Sequence, residues 1–270
     1  NFKFPLLVSS IYVGLTMLLM IRNTKRGNTP WRISKTPLFF WFNVTHNMIL
    51  TGYSAISFFG FANVVWFVFT AAWDTRNPEG RLTRMLDHGN APELYHIWAN
   101  GLVLYGFFFY MSKIYELVDT VILIVKGKTP TVFQIYHHTG ALICVWAGYY
   151  YMATPLWSFI FMNCGIHTLM YTYYTVALFK FPIPRGFKMI LTTMQIVQTG
   201  LAIVYGTVSL FISYNVIGED VAKGGADLAN PRIETISCVN TPGERFAISL
   251  NVAYLIPLLL LFLNFFRRTY

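Results

Sequence analysis

Charged side chains are scarce in this sequence. They make up 11% of its 270 residues, whereas soluble domains carry about 25%. Hydrophobic residues account for 55% and aromatic residues for 18%. A chain of this kind has too little polar surface to form a water-soluble globule. The composition therefore predicts a membrane protein.

Cysteine is also rare, and Cys144, Cys164 and Cys238 form neither a CxxC pair nor another paired spacing. Cys144 and Cys164 fall within apolar runs, where a small buried side chain is the expected role. We predict no essential disulfide. A compact basic module is missing as well, because the Lys and Arg residues are scattered over short loops, and this argues against a nucleic-acid partner.

Long apolar runs are what the sequence does contain. A helix needs about 20 predominantly apolar residues to cross a bilayer, and seven such stretches lie between charged or Pro/Gly-rich breaks. They are Phe4–Met20, Pro37–Ala71, Tyr95–Val125, Thr131–Tyr151, Leu156–Phe179, Phe187–Tyr214 and Arg245–Phe266. The expected fold class is an all-α polytopic membrane protein with seven transmembrane helices, forming a single domain over 1–270.

The basic residues predict the orientation of this protein in the bilayer. Twelve of the 20 Lys and Arg residues fall on one side of the seven spans and seven on the other. Because positively charged loops stay cytoplasmic, the N-terminus is expected on the lumenal or exterior side and the C-terminus in the cytoplasm. The net charge of +9 then lies mainly on the cytoplasmic rim, where it attracts anionic lipid headgroups or a partner that carries phosphates.

Polar residues inside the spans are the strongest functional signal, because ionisable groups in a membrane are costly. Counting inward from the cytoplasmic helix ends at about 1.5 Å per residue places polar groups of four spans in one slab, most of them about 10 to 20 Å deep. They are Lys113, Glu116, Asp119, His137, His138, Asn163, His167, Thr192, Gln195 and Gln198. Isolated structural pairs would not agree in depth, so we predict a polar cavity.

Two helical stripes refine this prediction. Lys113, Glu116 and Asp119 lie three residues apart and are expected to share one face of a continuous helix. An ion pair between Lys113 and Glu116 would alone be a structural device. Asn43, His46 and Asn47 form a second stripe on the second span and are further candidates for the cavity wall.

Other functions fit a polar slab in a membrane. Membrane di-iron oxygenases use at least eight histidines, whereas this chain has six, and His88 and His96 fall in or beside a lumenal loop. Too few remain for a di-iron centre, although a single metal held by three imidazoles stays open. A seven-helix transporter or receptor also stays open, with the slab as a ligand or proton site, although no inverted repeat is evident.

Four motifs carry a family resemblance, and they follow one another in the order given. They are Lys113-x-x-Glu116-x-x-Asp119-Thr120, Gln134-x-x-His137-His138, Asn163-x-x-x-His167-x-x-Met170-Tyr171-x-Tyr173-Tyr174 and Thr192-x-x-Gln195-x-x-Gln198. Together they resemble the ELO family of very-long-chain fatty acid elongases, the 3-ketoacyl-CoA synthases of the endoplasmic reticulum.

The resemblance implies a reaction and a fold. The family condenses a fatty acyl-CoA with malonyl-CoA to give a 3-oxoacyl-CoA two carbons longer, with release of CO2 and CoA and without a metal or bound cofactor. It implies that helices 2 to 7 form a barrel around a tunnel open to the cytosol, in the endoplasmic reticulum membrane. A homodimer and the other elongation-cycle enzymes are the protein partners it suggests.

The resemblance also suggests roles for individual residues. His137 matches the nucleophile that would form an acyl-imidazole, with His138 and His167 positioning substrates or moving protons. Hydrogen bonds to developing oxyanions would come from Asn163, Gln195 and Gln198. The remaining assignments are support by Lys113, Glu116, Asp119 and Gln134, and substrate binding by Tyr171, Tyr174, Thr192, Lys126, Lys128, Arg185 and Lys188, of which the last four would hold the phosphates of CoA.

The first position of the histidine box departs from the usual HxxHH, because Gln134 stands where a histidine is common. A glutamine side chain hydrogen-bonds but neither titrates nor acts as a nucleophile. Within the family, a QxxHH box is similar to that of polyunsaturated fatty acid elongases. We therefore expect polyunsaturated acyl-CoA substrates, against the simpler alternative that Gln134 only adjusts packing near the helix start.

Overall fold

The computed structural model describes residues 2–72, 97–217 and 233–270. Most of these residues are helical. The helices are α1 (Lys3–Lys25), α2 (Pro37–Ala72), α3 (Val103–Tyr115), α4 (Val118–Val125), α5 (Val132–Tyr150), α6 (Leu156–Leu178), α7 (Arg185–Ser209) and α8 (Pro242–Thr269). A short 3-10 helix at Arg32–Lys35 precedes α2, and a π-helix at Trp98–Leu102 precedes α3. Two predicted lumenal or border residues, His88 and His96, lie outside the described ranges. So do five of the seven Lys and Arg residues counted on the lumenal side, namely Arg76, Arg81, Arg84, Lys223 and Arg232.

Among the described residues, four helices are long and apolar enough to cross a membrane. They are Lys3–Lys25, Pro37–Phe67, Arg185–Ser209 and Pro242–Thr269. The helices α5 and α6 have 19 and 23 residues but carry more of the polar side chains. The multi-pass character expected from the sequence is therefore confirmed, whereas the count of seven crossings stays a prediction.

The third predicted span is not one continuous helix, which corrects the expectation of a single stripe. The chain turns between Tyr115 and Val118, where the amide of Leu117 donates to the carbonyl of Ile114 at 3.3 Å and that of Asp119 to the carbonyl of Glu116 at 3.1 Å. Hydrogen bonds between residues three apart tighten the backbone relative to an α-helix. As a result, the side chain of Asp119 faces a different set of neighbours from that of Glu116.

A β-hairpin follows α7 and was not predicted. Strand β1 (Ser213–Ile217) pairs antiparallel with β2 (Ile233–Ser237), with Ser213 opposite Ser237 and Ile217 opposite Ile233. The sequence did not indicate this hairpin because its strands are only five residues long and lie in a segment rich in Gly, Pro and acidic residues. Within the described residues, the fold is helical apart from this hairpin.

Local sequence signals account for the helix starts. The Thr131 side chain accepts a hydrogen bond from the backbone N–H of Gln134 at 3.2 Å and so caps α5. At the start of α8, Thr241 and Glu244 form a capping box around Pro242. Such caps satisfy backbone N–H groups that lack partners within the helix. The helix carrying the paired histidines therefore begins at a fixed residue.

Helix contacts follow a closed order. Along this order α2 packs against α6, α6 against α7, α7 against α8, α8 against α5, α5 against α3, and α3 again against α2. Helix α1 stands outside this sequence of neighbours and contacts α4 and α5. The apolar core lies mainly among α3, α5 and α6, around Phe109, Leu142 and Ile160.

One glycine allows a close contact that bears on the site. A Cβ atom on Gly140 would collide with the ring of Tyr254 from α8. The Tyr254 hydroxyl donates to the backbone carbonyl of His137 at 3.0 Å. Gly140 thus lets α8 approach α5 one turn after the paired histidines.

Candidate functional site

A cavity of about 680 Å³ lies among α2, α4, α5, α6, α7 and α8. This volume falls within the usual range of ligand sites, about 300–1,000 Å³. Leu178 and Phe159 both line it, and they lie about 28 Å apart along α6 at 1.5 Å per residue. Its polar lining residues are Asn43, Asn47, Glu116, Asp119, Lys126, Lys128, Gln134, His137, His138, Asn163, His167, Tyr171, Tyr173, Tyr174, Lys188, Thr192, Gln195, Gln198, Thr199, Thr269 and Tyr270.

One wall of the cavity is built on a buried ion pair. Lys113 Nζ lies 2.8 Å from Glu116 Oε1 and also donates to Asn163 Oδ1 at 3.0 Å. The ammonium sits 4.4 Å from the centroid of the Phe109 ring. Lys113 and Glu116 are only 4% and 2% exposed, so each charge depends on the other for its stability. Lys113 lies behind Glu116 and does not reach the cavity lining.

Glu116 also connects the ion pair to the third predicted histidine. His167 Nδ1 lies 3.5 Å from Glu116 Oε1, and the Ser112 hydroxyl faces the same oxygen at 3.4 Å. One carboxylate oxygen therefore has three neighbours with N–H or O–H groups. Such crowding of donors around an acceptor fixes its position and orients the imidazole of His167.

Asp119 lies at the centre of a second polar group. Its Oδ1 is 2.9 Å from His46 Nε2, and its Oδ2 accepts a hydrogen bond from the Tyr171 hydroxyl at 2.7 Å. His46 is buried behind the carboxylate, and among the described residues its Nδ1 has no hydrogen-bond partner. Of the predicted stripe on α2, Asn43 and Asn47 line the cavity while His46 lies outside the lining.

The paired histidines of α5 face the cavity together. The rings of His137 and His138 have centroids 5.3 Å apart at an interplanar angle of 78°, and both line the cavity with His167. Gln134 Nε2 lies 3.3 Å from His138 Nε2 and donates to the Thr120 hydroxyl at 3.3 Å. The departure from HxxHH thus places an amide group against the second histidine of the pair.

The helix α7 supplies amide groups on the opposite wall. Gln195 Nε2 donates to the sulfur of Met170 at 3.5 Å, and Gln198 is buried while lining the cavity. The Thr192 hydroxyl donates to the Lys188 carbonyl at 3.0 Å and lies 3.5 Å from the Tyr270 hydroxyl. Neither glutamine amide donates to a strong protein acceptor in the described contacts, so both can turn toward a ligand.

Basic side chains surround the end of the cavity at the predicted cytoplasmic side. Lys126, Lys128 and Lys188 line it there. Burial and the adjacent positive charge of Lys128 lower the pKa of Lys126. Arg185 differs from its assignment, because its guanidinium donates to the backbone carbonyl of Tyr270 at 3.2 Å and does not line the cavity.

The cavity lining therefore includes all the predicted site residues except Lys113, which lies behind Glu116, and Arg185, which is exposed outside the cavity. Three residues that contact the site were not predicted from the sequence. They are Tyr12, Thr120, which contacts Gln134, and Tyr254, which contacts the backbone of His137. A signal for Tyr12 existed, because Ser9, Tyr12 and Thr16 repeat at helical spacing on an otherwise apolar helix. Within residues 2–72, 97–217 and 233–270, no three His, Cys, Asp or Glu side chains are grouped so that they could hold a metal ion.

A comparison with protein families finds that the GNS1/SUR4 (ELO) family model matches residues 1–270. Individual relatives support the same similarity. Fatty acid elongase 2 from Trypanosoma cruzi is 29% identical over 238 residues, which covers 88% of this chain and 77% of that protein.

Two further relatives match over shorter stretches. Fatty acid elongase 2 from Trypanosoma brucei brucei is 36% identical over 108 residues, 40% of each chain. Very long chain fatty acid elongase 3 from Mus musculus is 37% identical over 103 residues, 38% of each chain. The matched stretches of these two relatives therefore cover less than half of their own length.

Removing the positive charge from the buried ion pair should destabilise the fold. In Lys113→Met, Glu116 keeps a buried charge without its partner, which typically costs about 3–5 kcal/mol. We expect a lower temperature of thermal unfolding in detergent. Lys188→Met, at an exposed position, serves as the control and should leave that temperature unchanged. Replacing both partners, in Lys113→Met with Glu116→Leu, should recover part of the loss; an unchanged unfolding temperature in the single variant would contradict this account.

Proposed function

The chain belongs to the GNS1/SUR4 (ELO) family, and from this membership and the cavity geometry we propose that it is a fatty acid elongase. It condenses a long-chain fatty acyl-CoA with malonyl-CoA to give a 3-oxoacyl-CoA two carbons longer, with release of CO2 and CoA. The observation that carries the proposal is the cavity that His137, His138 and His167 line together with the carboxylates of Glu116 and Asp119 and with side-chain amides such as those of Gln195 and Gln198. The reaction as proposed uses no bound cofactor or metal, a prediction that rests on the family.

We propose that α2 to α8, with α3 and α4 forming one crossing, make up six spans of a barrel around the cavity, and that α1 is a seventh span outside it. The closed order of helix contacts supports this arrangement. The N-terminus is proposed to be lumenal and the C-terminus cytoplasmic, in the endoplasmic reticulum membrane. The Lys and Arg distribution supports this orientation. A homodimer and contacts with other elongation-cycle enzymes stay predictions.

The cavity suggests how an acyl-CoA would lie. Its phosphates would contact Lys126, Lys128 and Lys188 at the basic end, since ammonium groups bind phosphate oxygens through charge-assisted hydrogen bonds. The acyl chain would extend past the histidines toward Phe159. Aromatic and aliphatic residues such as Phe262 line the route, and burial of the acyl chain against them is favourable.

Covalent acyl transfer is the mechanism we propose. A neutral ring nitrogen of His137 attacks the thioester carbon, a C–N bond forms, and the C–S bond breaks. CoA leaves as a thiolate, which takes up the proton released from the other ring nitrogen of His137. Malonyl-CoA then loses CO2, and C2 of the resulting enolate attacks the acyl carbon. A new C–C bond forms, the C–N bond breaks, and the departing ring nitrogen of His137 takes up a proton from water, which restores the neutral imidazole. Each step balances without an oxidant or a reductant.

Neighbouring groups would assist each step. Charge develops on the carbonyl oxygen during both attacks, and the amides of Gln195 and Gln198 are the donors proposed to stabilise it. His167, oriented by Glu116, would move the proton that the leaving thiolate accepts. Asp119, held by His46 and Tyr171, would present a fixed negative charge to the cavity. These roles are hypotheses supported by the contacts described above.

We propose polyunsaturated acyl-CoA as the substrate class, and the residue that supports this proposal is Gln134. The QxxHH box is similar to that of polyunsaturated fatty acid elongases, and the amide of Gln134 lies beside His138. Cis double bonds bend an acyl chain, so the shape of the route near α5 would affect which chains fit.

His137→Ala should abolish both condensation and acylation of the enzyme. Purified wild-type protein incubated with an acyl-CoA should show a mass increase of one acyl group, and addition of malonyl-CoA should then release a lengthened product. A variant without the imidazole has no nucleophile, so mass spectrometry should find no adduct. An undiminished adduct and product yield in His137→Ala would rule out this assignment. A transporter or receptor would release no CoA from either substrate, which separates that alternative from the elongase.

Phe159 should limit the length of the acyl chain. It lines the cavity and also a separate cavity of about 40 Å³ at the opposite end of the bundle, so its ring divides the two. Phe159→Leu should join them and extend the products by at least one two-carbon unit, whereas Phe159→Trp should shorten them. Phe161→Leu is the matched control, because Phe161 stacks on Phe58 and lines neither cavity. Product lengths measured by mass spectrometry that do not respond to Phe159 would contradict this role.

A screen of acyl-CoAs tests the proposed substrate class. With chains of equal length and increasing unsaturation, kcat/KM should be highest for the polyunsaturated members. Initial rates with malonyl-CoA held at saturation give this ranking directly. Preference for the saturated chain would exclude the polyunsaturated proposal while leaving the elongase activity itself intact.

A further inference from the structure

Helix α1 contacts the bundle through polar side chains, although it lies outside the proposed barrel. Its outer residues, among them Leu7, Leu15 and Leu18, are exposed to the surroundings. The residues it buries are Pro5, Ser9, Tyr12, Thr16 and Asn23, so most of the buried face can form hydrogen bonds. Apolar packing alone would not require these residue types, which suggests that this face has a further role.

Tyr12 connects α1 to the histidine box through hydrogen bonds. Its hydroxyl lies 2.9 Å from the Thr120 hydroxyl of α4. The Thr120 hydroxyl in turn accepts a hydrogen bond from the Gln134 amide at 3.3 Å, and the same amide nitrogen lies 3.3 Å from His138 Nε2. Because an amide NH2 group has two hydrogens, Gln134 can donate to Thr120 and to His138 at once.

Tyr12 also touches the histidine directly. The centroid of its ring lies 6.2 Å from that of His138, at an interplanar angle of 60°. His137 meets the His138 ring at 78°, and Gln134 meets its Nε2 atom. Two rings and an amide therefore restrict the plane of the His138 imidazole.

We propose that Tyr12 is a positioning residue for His138. Its hydroxyl holds Thr120, Thr120 holds the amide of Gln134, and the amide determines which nitrogen of His138 carries the proton. This inference rests on the proposed function, because it assigns Tyr12 to the same histidine site. Helix α1 then completes the active site from outside the cavity.

The orientation of the Gln134 side-chain amide determines which tautomer of His138 is present, and this is the chemical consequence of the hydrogen bonds from Tyr12 through Thr120. With the NH2 group toward His138, Nε2 accepts and the neutral ring carries its proton on Nδ1. A reversed amide would present its carbonyl oxygen, and the proton would have to be on Nε2. In this proposal the Thr120 hydroxyl donates its single proton to the Tyr12 oxygen, so it can only accept from Gln134. Loss of the Tyr12 hydroxyl would free that proton to bond a reversed amide and would mix the two forms of His138.

Tyr12→Phe removes the hydroxyl and keeps the ring contact. We expect kcat for condensation to fall about tenfold, the effect of one lost hydrogen bond, while KM for both substrates stays unchanged. Ser9→Ala is the matched control, because Ser9 is buried on the same face of α1 and its hydroxyl has no hydrogen-bond partner among the described residues. A fall in kcat that Ser9→Ala reproduces, or an unchanged kcat in Tyr12→Phe, would overturn the inference.

A double-mutant cycle separates positioning from a general loss of stability. In a Gln134→Leu background the chain of hydrogen bonds is already broken, so Tyr12→Phe should reduce kcat no further. If the two substitutions acted independently, their fold-reductions in kcat would instead multiply in the double variant. If Tyr12→Phe fails to fold, Thr120→Val can replace it, because it removes the hydroxyl that links Tyr12 to Gln134. Its effect on kcat should be non-additive with that of Gln134→Leu in the same way. Multiplied effects in the cycle would overturn the inference.

The unfolding temperature gives a readout that does not depend on the reaction. The same cycle measured in detergent should show that the losses caused by Tyr12→Phe and Gln134→Leu are not additive. Wild-type protein that condenses no acyl-CoA would refute the proposed function, whereas additive losses in unfolding temperature would refute the contact chain itself. The two failures are therefore distinguishable.

Discussion

The buried ion pair between Lys113 and Glu116 is the interaction on which the polar interior depends. Neither charge is stable inside a bilayer without the other, and Glu116 reaches its partner where the backbone tightens between Tyr115 and Val118. Asn163 and His167 take their positions from this pair. The same tightening turns Asp119 toward His46 and Tyr171, so one local change in the helix produces two separate polar groups on the cavity wall.

The grouping of polar residues from separate helices was predictable from the sequence, whereas the direction in which each side chain faces around its helix was less so. Counting residues from the helix ends placed the histidines of α5 and α6 in one slab, at about 10 and 20 Å from the predicted cytoplasmic face, and the structure brings them to one cavity. The helix break at Glu116 was not predicted, because the pattern Lys113, Glu116, Asp119 fits a regular helix equally well. His46 shows the same limit: its spacing suggested a lining residue, whereas tertiary packing puts it behind Asp119.

Other differences have equally local causes. Arg185 looked like a phosphate ligand because it follows a basic loop, but its guanidinium donates to backbone carbonyl oxygens at the end of α8. The hairpin of β1 and β2 was missed because its strands are short. The position of Phe159 between two cavities depends on how α6 packs against α3 and α7, and no pattern within one helix contains that information.

The polar face of α1 has a consequence for the order in which the protein assembles. Tyr12 and Thr120 are 108 residues apart, and Asn23 donates to the carbonyl of Ile124, 101 residues away. During synthesis α1 therefore enters the bilayer with hydrogen-bonding groups whose partners have not yet been made. In hydrocarbon such groups are costly until they are paired, so α1 can settle against the bundle only after α4 and α5 have been inserted. Helix α1 is thus made before α4 and α5 but reaches its final place after them.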